Sequence, residues 1–446
     1  MKYDEAIEFL NSFYDYEKIS LSPLKERSSL GSLREILKKI GDPDKNYRSV
    51  HIAGTKGKGS ISVFTSNILR EAACRTGLYV SPHVSNIRER ISVDNEIISE
   101  RDFADTVCAL RSSAGALLDP EKLSYFEVFT LVAMLYFSIK EAHVAVFECG
   151  LGGRLDATNV ISPVVCGFAP ISHDHVQVLG SKITEIAGEK AAIIKKGVRC
   201  VTAPQKPSVL KVIQDRCSEQ DASLSVVGRD VTYGSLKAGP GGTSFDIHGR
   251  AGNYNECHVS MPGYFQVENC ATAVGICEEL IDAGVVAIPP EAIRKGILCA
   301  FLPGRLEVLT RDPQIVIDGA QNVDSALKLK YSVEQIFKYD RLILLLGLSA
   351  DKDIEGVCQA FRGFPDEFII TRASVKRAAD PGLIKGYLMN EKATMTDDVA
   401  SALGLALSKA RKKDMVLVVG SFFLAGEVRE IMSGRNGFHR QTSRVC

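Results

Sequence analysis

His51-Ile-Ala-Gly-Thr-Lys-Gly-Lys-Gly-Ser60 joins a short apolar run to an amphipathic one. Ser49–Ala53 reads as a strand, and a helix is expected from Ser60, with Ile61, Phe64, Ile68 and Ala72 on one face. Gly77 stands where a C-cap would close it. Strand, glycine-rich turn and helix together frame a phosphate loop. The glycines let backbone N–H groups converge on phosphate oxygens, and the helix N-terminus adds a favourable dipole. Gly54, Gly57 and Gly59 surround Lys58, whose ammonium can neutralise β- and γ-phosphate charge. The spacing is a variant, because Ile52 occupies the place of the usual first glycine. In isolation the stretch also fits a glycine-rich turn with one exposed lysine.

Three further sites share a placement with this loop, each just beyond the C-terminal end of an expected strand. Ser81-Pro-His83 follows Leu78–Val80, Glu148 ends Val144–Phe147, and His173-Asp-His175 follows Val164–Ile171. Open parallel sheets bind ligands at that edge, so Lys58, Ser81, Glu148 and His175 are expected to converge. A carboxylate, a hydroxyl and an imidazole beside a triphosphate suit Mg²⁺, which takes few protein ligands and completes its shell with phosphate and water. Each also has a plainer reading: Glu148 as a cap on the next turn, His175 as a loop hydrogen-bonder, Ser81-Pro82 as a turn start.

After Glu148 comes Gly150-Leu-Gly-Gly-Arg-Leu-Asp-Ala-Thr-Asn159. Its paired glycines allow close backbone approach to a ligand. Arg154 can meet an anion, and Asp156 can accept from an amino-heterocycle; Asx-turns at Asp156 and Asn159 are the alternative. A helical wheel places Ile186, Lys190 and Ile194 together, so Lys190 is either a snorkelling side chain or a partly buried functional one.

The whole chain fits this frame. It has 446 residues, 45% of them hydrophobic, and its 54 Lys plus Arg balance 54 Asp plus Glu. That balance gives no sign of a nucleic-acid partner or an acidic tail. The start is not a signal peptide, and the longest apolar stretch, Phe126–Ile139, contains Glu127 and is too short to span a bilayer. The twelve cysteines form no CxxC pair and read as buried free thiols, which places the chain in the cytoplasm with no membrane partner. The long helix is expected over Tyr125–Ala142. A glycine-dense β insertion is expected near 224–262, then a helix over Phe265–Ala283. Leu302-Pro-Gly-Arg305 reads as a linker, followed by strands at Ile315–Ile317, Leu342–Leu346, Glu367–Thr371 and Met415–Val419. The fold class is therefore α/β: a P-loop-containing, mostly parallel sheet domain over 1–302 with a small β insertion, and a second, Rossmann-like α/β C-terminal domain over 303–433. Residues 434–446 read as a flexible tail.

Taken together, these motifs resemble the folylpolyglutamate synthase and bifunctional dihydrofolate synthase family of the Mur ligase superfamily. The resemblance runs through His51–Ser60, Ser81-Pro-His83 with Arg88-Glu-Arg-Ile91, Phe126-Glu127, and the specific run from Phe147 to Asn159. It continues through Asp174-His175, Glu189-Lys190-Ala191, Pro303-Gly-Arg305, Asp318-Gly-Ala-Gln-Asn322 and Gly420-Ser421. The resemblance implies an ATP-dependent amide ligase that adds L-glutamate to a folate or dihydropteroate carboxylate through an acyl phosphate. It implies ATP contacts from Gly54, Thr55, Lys56, Gly57, Lys58, Gly59, Ser60, Asn269, Arg305 and Asp318. One Mg²⁺ falls to Ser81 and Glu148, and a second to His175. Lys58, His175 and Lys190 fall in the reacting centre, with Lys190 carbamylated. Ser124, Phe126, Arg154, Leu155, Asp156 and Ala157 fall beside the pterin-bearing substrate. The implied partners are small molecules, with the chain a monomer. The chain departs from the family at Gln321, where a histidine is usual, and at His173, where a small residue is usual. The adenine-side motif reads Tyr264-Phe-Gln-Val-Glu-Asn269.

Other readings remain. A muramyl-type ligase carries a substrate domain before its phosphate loop, and the roughly fifty residues here are too few for one. A nucleotide switch or motor ATPase would turn over ATP with no amino-acid acceptor. A non-enzymatic folate- or nucleotide-binding protein would do neither.

Overall fold

The computed structural model describes residues 1–15, 30–239 and 241–436. The first sheet is built from β1 (Arg48–Ala53), β2 (Thr76–Tyr79), β3 (Ile91–Val93), β4 (Glu96–Ile97), β5 (Val144–Glu148), β6 (Val165–Phe168), β7 (Arg199–Thr202) and β8 (Ser223–Val226). Its order is β4-β3-β2-β5-β1-β6-β7-β8. Only the β2-β3-β4 edge is antiparallel. β1 lies in the middle, paired in parallel with β5 on one side and β6 on the other. The chain order reverses across β1, which makes its carboxyl end a topological switch point. Both neighbours release their loops there, with Ile52 opposite Glu148.

Apolar side chains fill both faces. Tyr47, Tyr79, Phe129, Phe137 and Phe147 stack or meet edge to face on one. Burying each such ring stabilises the fold by about 2 kcal/mol before entropy is counted. The helix Tyr125–Ile139 supplies much of this layer and stops three residues short of the expected Ala142. Gly77 is not a C-cap. It lies inside β2, where an added Cβ would meet the Phe137 ring at 2.7 Å. The preceding helix ends at Glu71, and Ala73 takes the positive φ of 56° at the turn. The packing requirement was invisible because Phe137 lies far off in sequence.

Leu224 belongs to β8, so the inserted sheet starts later than expected. It comprises β9 (Thr232–Gly239), β10 (Gly242–His248) and β11 (Asn253–Val259), antiparallel in the order β11-β10-β9. A buried ionic knot fastens it to the helix Tyr264–Asp282. Glu278 and Glu279 are each 1% exposed. Glu278 accepts from the Arg250 and Ala251 N–H groups, both at 3.0 Å, and from the Tyr254 hydroxyl at 2.9 Å. Glu279 pairs with Arg199 at 3.1 Å and with Arg250, and accepts from Ser225 Oγ at 2.7 Å.

The second sheet contains β12 (Glu307–Arg311), β13 (Gln314–Ile317), β14 (Leu342–Leu346), β15 (Glu367–Ile370), β16 (Ala393–Met395) and β17 (Met415–Val419). Its order is β12-β13-β17-β14-β15-β16, parallel except at the β12–β13 edge. The short edge strands β12 and β16 escaped the sequence reading because they lack a strong apolar run. A helix covers Phe422–Asn436, so the first residues of the expected tail are helical, and 437–446 lie outside the described residues. Cys299 is disulfide-bonded, against the expectation of free thiols, whereas ten other cysteines are free. Among the described residues no helix is long and apolar enough to cross a membrane.

Buried polar groups cluster under the first sheet's carboxyl edge. His51 is fully buried, with Nε2 2.7 Å from Thr158 Oγ1 and 3.0 Å from Cys149 Sγ. Burial, helped by Lys195, pulls its imidazole from the usual 6.5 down to about 3. As pH falls the unfolded chain therefore takes up this proton first. The His51 contribution to stability is complete above 6.5 and is lost toward about 3. The unfolding midpoint is expected to drop with acid across that window. His51→Gln should flatten the dependence, and equal slopes in urea titrations of both proteins would refute this account.

Candidate active site

The phosphate loop is tighter than the sequence suggested. Its helix spans Lys58–Glu71, two residues earlier than expected, with Gly57 at the N-cap and φ 95°. An added Cβ on Gly57 would collide with Asn269 Oδ1, so the loop lies directly against the helix Tyr264–Asp282. Gly54, at φ 145°, packs its backbone on Ala169. The Thr55 and Lys56 N–H groups donate to the Pro170 carbonyl at 3.0 and 3.3 Å, and Thr55 Oγ1 donates to the Ser172 carbonyl at 3.0 Å. These contacts staple the loop to the segment after β6. The amides of Lys58, Gly59 and Ser60, in the first helical turn, have no intrahelical acceptor and form the anion-facing set.

Glu148 ends β5 beside this turn and is 3% exposed. Oε1 lies 4.0 Å from Lys58 Nζ, and Oε2 accepts from the Ser81 N–H at 3.0 Å. Burial pushes its carboxyl up, and the Lys58 ammonium draws it back. Among the described residues this backbone N–H is its one hydrogen-bond donor. A buried carboxylate with spare lone pairs next to Gly59 suits a cation. No group of three or more His, Cys, Asp or Glu among the described residues could hold a metal alone.

Lys190 is 5% exposed and donates from Nζ to the Gly54 carbonyl at 2.9 Å. Burial, then the neighbouring Lys58, pulls its amine down to about 7. Its helix ends at Ala191, so Ile194 lies beyond it and does not share its face. His175 takes a positive φ of 50°. Burial, then Lys352, lowers its imidazole to about 4, leaving it neutral at physiological pH.

The loop after Glu148 is mostly self-supporting. An added Cβ on Gly153 would sit 2.6 Å from the Glu189 carbonyl, so this glycine serves helix packing instead of ligand approach. The Asp156 carboxylate accepts from Leu151 N–H at 2.7 Å and Thr158 N–H at 3.0 Å, which is the Asx-turn reading. Leu155 and Ala157 flank it in the same loop. Arg154 pairs with Glu189 at 2.9 Å near the surface. Ser124 and Glu127 form a capping box at the start of their helix, and the Phe126 ring packs on Gly150, where a Cβ would approach to 2.6 Å.

Lys56, Gly57, Ser60 and Asn269 share one cleft with Arg305 and Asp318 of the C-terminal unit. The Arg305 guanidinium lies 4.5 Å over the Phe422 ring. Asp318 is held by the Leu306 and Ala320 N–H groups at 2.9 and 2.8 Å. Phe265 and Glu268, both within the adenine-side motif, also line the cleft, as does Lys328, which the sequence reading missed as a site residue. It also missed Lys352, which follows β14 in Asp351-Lys-Asp353; an apolar strand running into charge was the available signal.

Comparison with known proteins agrees with this geometry. Residues 52–277 match the Mur ligase middle domain, and 304–422 match the Mur ligase glutamate ligase domain. A dihydrofolate synthase/folylpolyglutamate synthase of Bacillus subtilis (strain 168) is 30% identical over 407 residues, covering 91% of this chain and 95% of that one. A probable bifunctional folylpolyglutamate synthase/dihydropteroate synthase of Halobacterium salinarum is 32% identical across 96% of this chain, which spans 51% of that longer protein. The solved structure of E. coli FolC in complex with DHPP and ADP superposes with a TM-score of 0.86 at 26% identity, covering 98% of each chain. This chain therefore belongs to the folylpolyglutamate synthase/dihydrofolate synthase family of the Mur ligases, whose members are ATP-dependent amide-bond ligases.

Proposed function

We propose that the chain joins L-glutamate to the carboxylate of a folate or of dihydropteroate, through an acyl phosphate, with release of ADP and phosphate. One observation carries this reading: the phosphate loop, through Lys56, Gly57 and Ser60, shares a cleft with Arg305 and Asp318 of a second α/β unit, while Lys58 of the same loop faces the buried Glu148. A carboxylate is a poor acyl donor until the γ-phosphoryl of ATP is placed on it. The first-turn amides and Lys58 hold the phosphates in line and stabilise the charge that spreads during transfer. No side-chain nucleophile is needed, since positioning does most of the work.

Glu148 and Ser81 are the residues to hold one Mg²⁺, and His175, neutral at working pH, a second. Bound there, such ions would neutralise phosphate charge. Lys190, with its amine pulled to about 7, is the lysine best prepared to be carbamylated, because the neutral amine is the form that adds carbon dioxide. Asn269, Arg305 and Asp318 are assigned to ATP. Ser124, Phe126, Arg154, Leu155, Asp156 and Ala157 are assigned to the wall facing the pterin; Asp156 shapes its loop more than it offers free acceptors. Residues 1–302 and 303–433 are taken as the two domains, acting as a cytoplasmic monomer.

Phosphate release should be measured with ATP and L-glutamate, offering dihydropteroate or tetrahydrofolate in turn. Release is expected to require glutamate and at least one pterin. Release independent of both pterins would point to a plain ATPase, and release with a nucleotide-linked peptide precursor alone would point to a muramyl-type ligase.

A further inference from the structure

The Asp174 carboxylate gathers cations and donors from both α/β units. From its own unit comes Lys56 Nζ at 3.4 Å, with the neutral His175 ring 3.8 Å away at Nε2. From the other unit come Lys352 Nζ at 3.1 Å and Asn322 Nδ2 at 3.2 Å. The Lys352 side chain is 4% exposed and that of Asp174 11%, so the contact is withdrawn from solvent screening. Asp174 also stands two residues from Ser172, which is bonded to Thr55 of the phosphate loop. The link across the cleft thus ends on the loop that carries the nucleotide.

We propose that Asp174 is an electrostatic clasp, a positioning residue that holds the C-terminal unit closed over the phosphate loop through Lys352 and Asn322. Resting on the ligase reading above, its purpose is to keep water from the acyl phosphate. With the cleft closed, the glutamate amine attacks the acyl carbon and phosphate leaves. With it open, water attacks the same carbon, and the products are the original carboxylate and phosphate, so ATP is consumed without an amide bond. Closure that excludes water is the general device for protecting such intermediates.

The test uses the full chain and three variants, Asp174→Asn, Asp174→Glu and Lys352→Met. Phosphate released and amide formed are measured together at saturating ATP and dihydropteroate across a glutamate series. The wild-type ratio is expected near one. In Asp174→Asn and Lys352→Met it should rise roughly threefold or more, with a raised KM for glutamate and a smaller change in phosphate release. Asp174→Glu, which keeps the charge, should return toward one. Small-angle scattering of the same proteins without substrates should show a wider interdomain distance in the two neutralised variants. Phosphate and amide falling in step, with an unchanged distance, overturns the clasp. If Asp174→Asn does not fold, Lys352→Met decides alone. If wild-type protein releases no pterin-dependent phosphate, the ligase reading has failed, and the scattering comparison still judges the clasp.

Discussion

Lys58→Ala is expected to lower kcat/KM for ATP-dependent ligation by roughly a thousandfold or more, the scale on which preorganised charge stabilises a transferring phosphoryl group. The side chain is 16% exposed and faces Glu148 Oε1 at 4.0 Å, so its loss removes the cation opposite that carboxylate without opening a hydrophobic core. The unfolding midpoint should therefore shift little. Lys58→Arg should not restore full activity, because a planar guanidinium cannot occupy the place of a compact ammonium between a helix N-terminus and a carboxylate. Activity comes from coupled phosphate and amide assays, and folding from thermal unfolding of the same preparations. Near-normal turnover in Lys58→Ala would remove the phosphate loop from the mechanism.

Glu148→Gln should be nearly as severe, on the order of a hundredfold or more, for a different reason. The amide is isosteric and can still accept the Ser81 N–H at Oε1, so the geometry of the β5 end survives. What disappears is negative charge in a buried position that faces Lys58. Dependence on free Mg²⁺ should shift to much higher concentration. Binding of ADP in the absence of Mg²⁺, followed by calorimetry, should hold or tighten, because a buried anion next to the phosphates has been removed. If Mg²⁺ dependence stays in place while activity falls, Glu148 acts as a structural cap and not as a cation ligand.

The parts of the site legible in sequence are those where local pattern and chemistry coincide. A strand, a glycine turn and a helix place Lys58, and an unbroken apolar run places Glu148 at a strand end. Parallel pairing of β1 with β5 and β6 then brings Glu148 and the His175 segment to the loop, as the alternation of strands and helices implied. Contacts between residues distant in sequence were not legible. Gly77 looked like a cap because its partner, Phe137, belongs to another helix. Gly153 looked like a ligand glycine because the helix bearing Lys190 could not be seen pressing on it. Lys352 and Asp174 stand 178 residues apart and meet only when two sheets pack, so nothing local marks either as the other's partner. Asp156 shows the limit of residue chemistry: a carboxylate suited to an amino-heterocycle can equally be spent on its own loop.

The ionic knot beneath the small antiparallel sheet bears on how this chain can be re-engineered. A hairpin inserted between a sheet and a helix looks like cargo that could be exchanged for another binding module. Here its turn supplies the N–H groups and the guanidinium that neutralise Glu278 and Glu279, both sealed in the helix that also carries Asn269 to the phosphate loop. Excising the hairpin would strip Glu278 of its donors and leave Glu279 with Arg199 and Ser225 alone, and a stranded buried charge costs several kcal/mol. A graft at this position has to bring its own donors for Glu278 or replace that glutamate, and grafts that do neither should collapse the nucleotide cleft from behind.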